Sequence, residues 1–170
     1  MLYFGNKFNF TLMNKINIPR LDLLQYTQGD AAQRKQFSDD IGRAFNETGF
    51  VTIANHGLSD ELIDQLYDVV QRFFALPMEV KAQYEFPELA GQRGYTSPGK
   101  ETAKGAKAPD LKEFWQRGQT IRDIEYSKKD FPDNPDVQEM PEFDQITGEV
   151  YRKLEDTGRD LLKAIAVYLG

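Results

Sequence analysis

Gly49-Phe50-Val51-Thr52-Ile53-Ala54-Asn55-His56-Gly57 sets the pattern of the chain. The run Phe50 to Ala54 is apolar and β-branched, which predicts a short buried strand. Asn55, His56 and Gly57 close it with turn chemistry. Gly49 is suited to stop the element before it. That element reads as a helix: Asp30 suits an N-cap, and Phe37, Ile41, Ala44 and Phe45 fall on one helical face. A second helix follows the strand. Ser59 suits its N-cap, and Asp60 and Glu61 sit where the helix dipole favours acids. Leu62, Leu66, Val69 or Val70, and Phe73 form its buried stripe.

Upstream, Ile16 to Leu24 reads as an extended segment, with Pro19 marking an edge strand or a strand start. Downstream, Pro77 ends the second helix and opens another short one as its first residue. Over 87–110, Gly91, Gly94, Gly99 and Gly105 join Pro87, Pro98 and Pro109. This predicts a long loop, and a structureless loop of ~20 residues in a compact domain is usually functional or disordered. Phe114 to Ile121 is a strand candidate, and 127–141, with Pro132, Pro135 and Pro141, is a second loop. Phe143, Ile146, Val150, Leu154, Leu161, Ile165 and Tyr168 mark one amphipathic helix from about Glu142 to Leu169, roughly 40 Å long. Two or three short strands among four helices leave sheet edges unpaired, which suggests a sheet completed by strands outside this stretch.

Composition bounds the chemistry. The 170 residues are 40% hydrophobic and 28% charged, a globular composition long enough for one domain with a real core. With no cysteine, disulfide scaffolds, Cys-ligated zinc, iron–sulfur clusters and cysteine nucleophiles are excluded. His56 is the single histidine, which excludes any mechanism needing two from this chain. The net charge is −6 and the basic residues are scattered, so nucleic acid is not an expected partner. No run approaches the ~18 apolar residues of a membrane span, so no membrane association is expected. Residues 1–13 lack the layout of a signal peptide. They are expected to form a disordered leader ahead of 14–170, with Met13 as a start, in a cytoplasmic protein.

Several near-motifs have ordinary readings. Gly94 to Glu101 approaches a phosphate-binding loop, but Glu101 stands where Ser or Thr is needed and Pro98 removes a cradle N–H. Ser97 and Lys100 have the spacing of a Ser–Lys pair without its companion motifs. His56 reads as a turn histidine, because one histidine cannot build a facial triad. Asp130, Asp133, Asp136 and Glu139 read as a solvated acidic loop. Trp115 beside Phe114 reads as core packing, with its N–H bonded internally. Arg93, Tyr95 and Lys100 lie in the Gly-rich loop, where Arg and Tyr are suited to hold a substrate carboxylate.

Taken in order, six segments resemble the N-terminal region of the isopenicillin N synthase-like non-haem Fe(II), 2-oxoglutarate-dependent oxygenases. They are Ile18-Pro19-Arg20-Leu21-Asp22-Leu23, Gly49 to Gly57, Phe73 to Lys81, Gly94-Tyr95 with Gly99-Lys100-Glu101, Asp110 to Phe114, and Ala164 to Gly170. The resemblance implies an α+β arrangement: helices plus a few strands of an incomplete double-stranded β-helix, or jelly roll. It implies that the long helix lies along that jelly roll. It also implies that Arg93, Tyr95 and Thr96 reach toward a small-molecule substrate.

The family's His-x-Asp, distal His and Arg-x-Ser motifs lie beyond the long helix, and this chain has no His-x-Asp. Fe(II) and 2-oxoglutarate are therefore expected in the complete enzyme, with no cofactor or metal held by this chain. The chain alone is expected to be inactive, to lack its C-terminal half and to self-associate through exposed apolar surface. The alternative is a stand-alone, non-catalytic small-molecule-binding or interaction domain.

Overall fold

A computed structural model of the protein describes residues 17–102, 104–105, 107–121 and 130–170. The leader expected over 1–13 lies outside them, as do Ile16 and residues 127–129 of the second expected loop. The elements in chain order are β1 (Arg20–Asp22), α1 (Leu24–Thr27), α2 (Ala31–Thr48), β2 (Thr52–Ala54), α3 (Asp60–Phe74), α4 (Met78–Lys81), β3 (Gly94–Thr96), β4 (Phe114–Gln116) and α5 (Pro141–Leu169). The arrangement is α+β, rich in helix and poor in strand. No helix among the described residues is long and apolar enough to cross a membrane.

The described residues form two compact units, one reaching to Asn55 and including Asp160–Gly170, the other His56–Arg159. In the first, β1 and β2 pair in parallel, Leu21 opposite Ile53, with α1 and α2 as the crossover. α2 opens with the expected Asp30 cap. Asp30 accepts the Gln33 N–H at 2.9 Å, and the Gln33 side chain accepts the Asp30 N–H at 3.0 Å, a reciprocal capping box. It ends at Gly49 with φ 75°, a left-handed cap that favours glycine. Phe37, Ile41 and Ala44 are buried as expected, with Leu23 and Ala164, but Phe45 is exposed. The strand begins at Thr52 rather than Phe50. Thr48 Oγ1 donates to the Phe50 carbonyl and accepts the Phe50 N–H, which folds 48–50 into a turn and leaves the Phe50 ring in solvent.

In the second unit, Ser59 Oγ accepts the Leu62 N–H at 3.2 Å, the expected cap of α3. Leu62, Val69 and Phe73 are buried. Phe73 is the hub of an aromatic core, its ring centroid 4.9–6.3 Å from those of Tyr84, Tyr95, Trp115 and Phe143. Pro77 stands at the cap position of α4, one residue earlier than expected.

Residues 87–110 are not wholly loop. They contain β3, which pairs antiparallel with β4, Tyr95 opposite Trp115 and Thr96 opposite Phe114. β4 stops at Gln116, short of the expected Ile121. There the Asn134 side chain takes over, bonding both the N–H and the carbonyl of Gly118 at 2.9 Å. α5 starts at Pro141, a residue suited to a first helical turn, and runs 29 residues. The strands form two separate two-stranded sheets rather than one.

A candidate ligand cavity on the β3–β4 hairpin

Alternation along a strand turns successive side chains to opposite faces. Tyr95 and Trp115 therefore face the Phe73 core, while Thr96, Phe114 and Gln116 face the other way. On that second face lies a cavity of about 460 Å³, whose lining also includes Glu85, Phe86, Gly91, Lys100 and Glu101, with Tyr95 at its wall. Gly94 makes the cavity possible. Its φ is 79°, and a Cβ there would meet the Tyr84 carbonyl oxygen at 2.3 Å. Without a side chain it pairs with Glu85, which brings the 85–91 turn beside the hairpin.

The charges in the cavity wall are already matched. Glu85 accepts the Ser97 hydroxyl at 3.0 Å and lies 3.4 Å from the Lys100 ammonium. Glu101 pairs with Lys112 at 2.8 Å. Thr96 is different: it is only 8% exposed and adds an uncharged hydroxyl to the lining.

Behind the hairpin lies a buried polar triad. Lys81 is 5% exposed; its ammonium lies 2.8 Å from Glu113 and donates to the Phe74 carbonyl at 3.0 Å. The Tyr95 hydroxyl also donates to Glu113. The hydrogen bond from Lys81, and then that from Tyr95, hold the Glu113 carboxyl below its ordinary range. Burial first, and the bond to Glu113 second, push the Tyr95 hydroxyl up, so it remains a donor at neutral pH. The Lys81 ammonium also lies 5.5 Å from the centre of the Tyr95 ring.

The structure brings Tyr95, Thr96 and Lys100 to one cavity and leaves Arg93 outside its lining. Arg93 is 9% exposed and donates from Nε to the Pro132 carbonyl at 3.1 Å and from Nη1 to the Gln92 carbonyl at 2.7 Å. Its guanidinium rests on Gly118, where a Cβ would sit 1.9 Å from Cζ.

Residue types alone did not point to Gln116, Phe86 or the Lys81–Glu113 pair. The alternation Phe114-Trp115-Gln116 was the usable signal: if Trp115 is core, its neighbours face away from it.

The other candidates take ordinary places. His56 Nδ1 accepts the Leu58 N–H at 3.4 Å, and the His56 carbonyl accepts the Thr157 hydroxyl at 2.6 Å. Among the described residues no helix starts after Lys100 before α5, and the Gly99 N–H is spent on the Asp110 carbonyl at 2.8 Å, which leaves it unavailable to a phosphate cradle. Glu139 accepts the Tyr84 hydroxyl at 2.5 Å. Among the described residues no three His, Asp or Glu side chains cluster as metal ligands. Trp115 packs as expected, but its indole N–H, expected to be bonded, is buried without a partner among the described residues. Its ring neighbours are Phe73, Tyr84 and Phe143, which crowd it with aromatic carbon.

The family model described as "non-haem dioxygenase in morphine synthesis N-terminal" matches residues 18–141. Among curated relatives, the 2-oxoglutarate-dependent dioxygenase frbA of Dothideomycetidae sp. is 31% identical over 91% of this chain and 48% of its own length. A 2OG-Fe(II) oxygenase family protein from Caulobacter crescentus superposes with a TM-score of 0.73 at 34% identity, over 88% of this chain and 48% of that one. A full-length Neurospora crassa protein solved with alpha-KG shares the fold at a TM-score of 0.70 and 23% identity, over 90% of this chain and 47% of that one. The chain thus spans about half the length of the relatives it matches, and that half is their N-terminal one. It belongs to the N-terminal family of the non-haem, 2-oxoglutarate-dependent dioxygenases.

Proposed function

We propose that these residues form the N-terminal part of an Fe(II)/2-oxoglutarate-dependent oxygenase that acts on a small organic molecule. In this reading the chain supplies scaffold and a substrate-side wall, and a jelly-roll half beyond it holds the reacting centre. The observation that carries it is the coverage: the matching family model is an N-terminal one, and the chain spans about half the length of the relatives and solved structures it matches. The side chains present do not fit the iron. A facial triad takes two histidines and a carboxylate, whereas His56 is the single histidine and its ring is turned to its own loop backbone. No step of oxygen chemistry is therefore routed through this chain.

What the chain does is geometric. The wall is the segment Arg93–Thr96. Thr96 faces the cavity, Tyr95 adjoins it while its ring packs in the Phe73 core, and Arg93 ties the segment to 132 and 118 from behind. A rigid wall holds a small molecule in one orientation, and orientation is a large part of catalytic advantage.

The test is succinate release from 2-oxoglutarate in the presence of iron and oxygen. The full-length protein is expected to release it, and the 170-residue chain alone is not. Release by the isolated chain would overturn the division of labour. In the full-length protein, Arg93→Ala is expected to weaken use of the organic substrate more than use of 2-oxoglutarate. Equal losses would remove the segment from the substrate wall.

A further inference from the structure

We propose that the cavity on the β3–β4 hairpin is a subsite for a neutral, planar ligand group: a ring seated against Phe86 and Phe114, with an amide- or hydroxyl-type polar group bonded by Thr96 and Gln116. This deepens the substrate-wall reading above and rests on it for its biological role, but not for the binding itself.

Three features point to that chemistry. First, Thr96 is more than nine-tenths buried and lines the cavity, where its hydroxyl is both a donor and an acceptor. A ligand group that fills the cavity and bonds this hydroxyl gains one directed hydrogen bond in place of the water that otherwise meets it. Gln116 lies on the same face, diagonal to Thr96 across the pair, and offers a donor and an acceptor. Second, the apolar lining sets two phenylalanines, Phe86 and Phe114, beside Pro87 and Ala90. The Phe86 ring rests on Gly94, within 3.0–3.1 Å of where a Cβ would stand, and Phe114 lies directly opposite Thr96. Third, the ionic groups are spoken for: Glu85 by Ser97 and Lys100, Glu101 by Lys112. A charged ligand would have to break one of these pairs, whereas a neutral one need not. The volume, about 460 Å³, is in the range of small-molecule sites.

Three isosteric probes separate these terms: benzamide (neutral), benzoate (anionic) and benzamidinium (cationic). Each is titrated into the full-length protein and followed by backbone amide chemical shifts. Benzamide is expected to move the amides of Thr96 and Gln116 and to bind at least about tenfold more tightly than either charged probe. Thr96→Val, which keeps the shape and removes the hydroxyl, and Gln116→Leu, at an exposed position, are each expected to weaken benzamide about fivefold, the loss of one hydrogen bond. Should Thr96→Val fail to fold, Gln116→Leu decides.

The proposal is overturned by an absence of shifts at these amides, by equal affinity for all three probes, or by unchanged benzamide affinity in the variants. None of these readouts needs turnover. Binding as expected, in a protein that never releases succinate, would leave the subsite standing and remove the oxygenase reading. Succinate release without benzamide binding would do the reverse.

Discussion

Gly118 shows how much one position can carry. Its faces are taken by the Arg93 guanidinium, and its backbone N–H and carbonyl by the Asn134 amide. Arg93 cannot swing clear of an added methyl, because Nε and Nη1 are held by two carbonyls and the side chain is buried. Gly118→Ala should therefore destabilise the full-length protein by about 2 kcal/mol, the overpacking range, read as a lower denaturant midpoint with an unchanged slope. An unchanged midpoint would mean that Arg93 has room to move. None of this was visible in the sequence. An arginine in a glycine-rich loop suggests a ligand, and the carbonyls that Arg93 bonds carry no signature of residue type. The caps are the contrary case. Asp30, Gly49 and Ser59 were legible because a cap is made by residues within a few positions of one another. Asp30→Ala should lower stability by about 1 kcal/mol, and an alanine variant as stable as the parent would show the capping box to be idle.

At the scale of elements, the Lys81–Glu113–Tyr95 triad joins α4 to the hairpin and gives the fold a pH dependence at both ends. The Glu113 carboxyl is held low when folded, so the unfolded chain binds the more protons in acid. Its contribution is complete above the unfolded value of about 4.3 and fades as pH falls through the folded one. Tyr95 runs the other way. Its hydroxyl is raised, so its contribution is complete below about 10 and is lost as pH climbs past that value. Glu113→Gln should therefore flatten the acid limb of a stability–pH curve, and Tyr95→Phe the alkaline limb. A limb left as steep as in the parent would take the corresponding residue out of this role. Lys81→Met leaves Glu113 without its cation. Glu113 keeps some access to water, so the loss should be about 2 kcal/mol rather than the larger figure for a fully dry pair. Of the hairpin that the triad braces, β4 reads as strand in the sequence and β3 reads as loop, for a physical reason. A strand of three residues has too few positions to display a period, and its partner lies about twenty residues away across glycine and proline. β2 was easier to read, because its neighbours are apolar and β-branched and its flanking turns are local.

At the scale of the whole molecule, α5 presents apolar side chains to solvent. In its final turns Leu162 and Leu169 are 69% and 76% exposed, and residues seven apart share one helical face. Leu154 is half exposed further back. An amphipathic helix normally buries such side chains, and the relatives carry as much chain again as is present here. The isolated 170-residue chain should therefore associate with itself, its sedimentation coefficient rising with concentration. Leu162→Glu combined with Leu169→Glu should return it toward the monomer. Neither side chain belongs to the core formed by Leu23, Phe37, Ile41 and Ala164, so the substitutions should leave thermal unfolding of that unit unchanged. The same pair of substitutions in the full-length protein should lower its stability, because there the glutamates would replace leucines that the remaining half covers. A parent chain that sediments as a monomer at every concentration, or a full-length protein indifferent to the two glutamates, would mean that this face is ordinary solvent surface and that the missing half docks elsewhere.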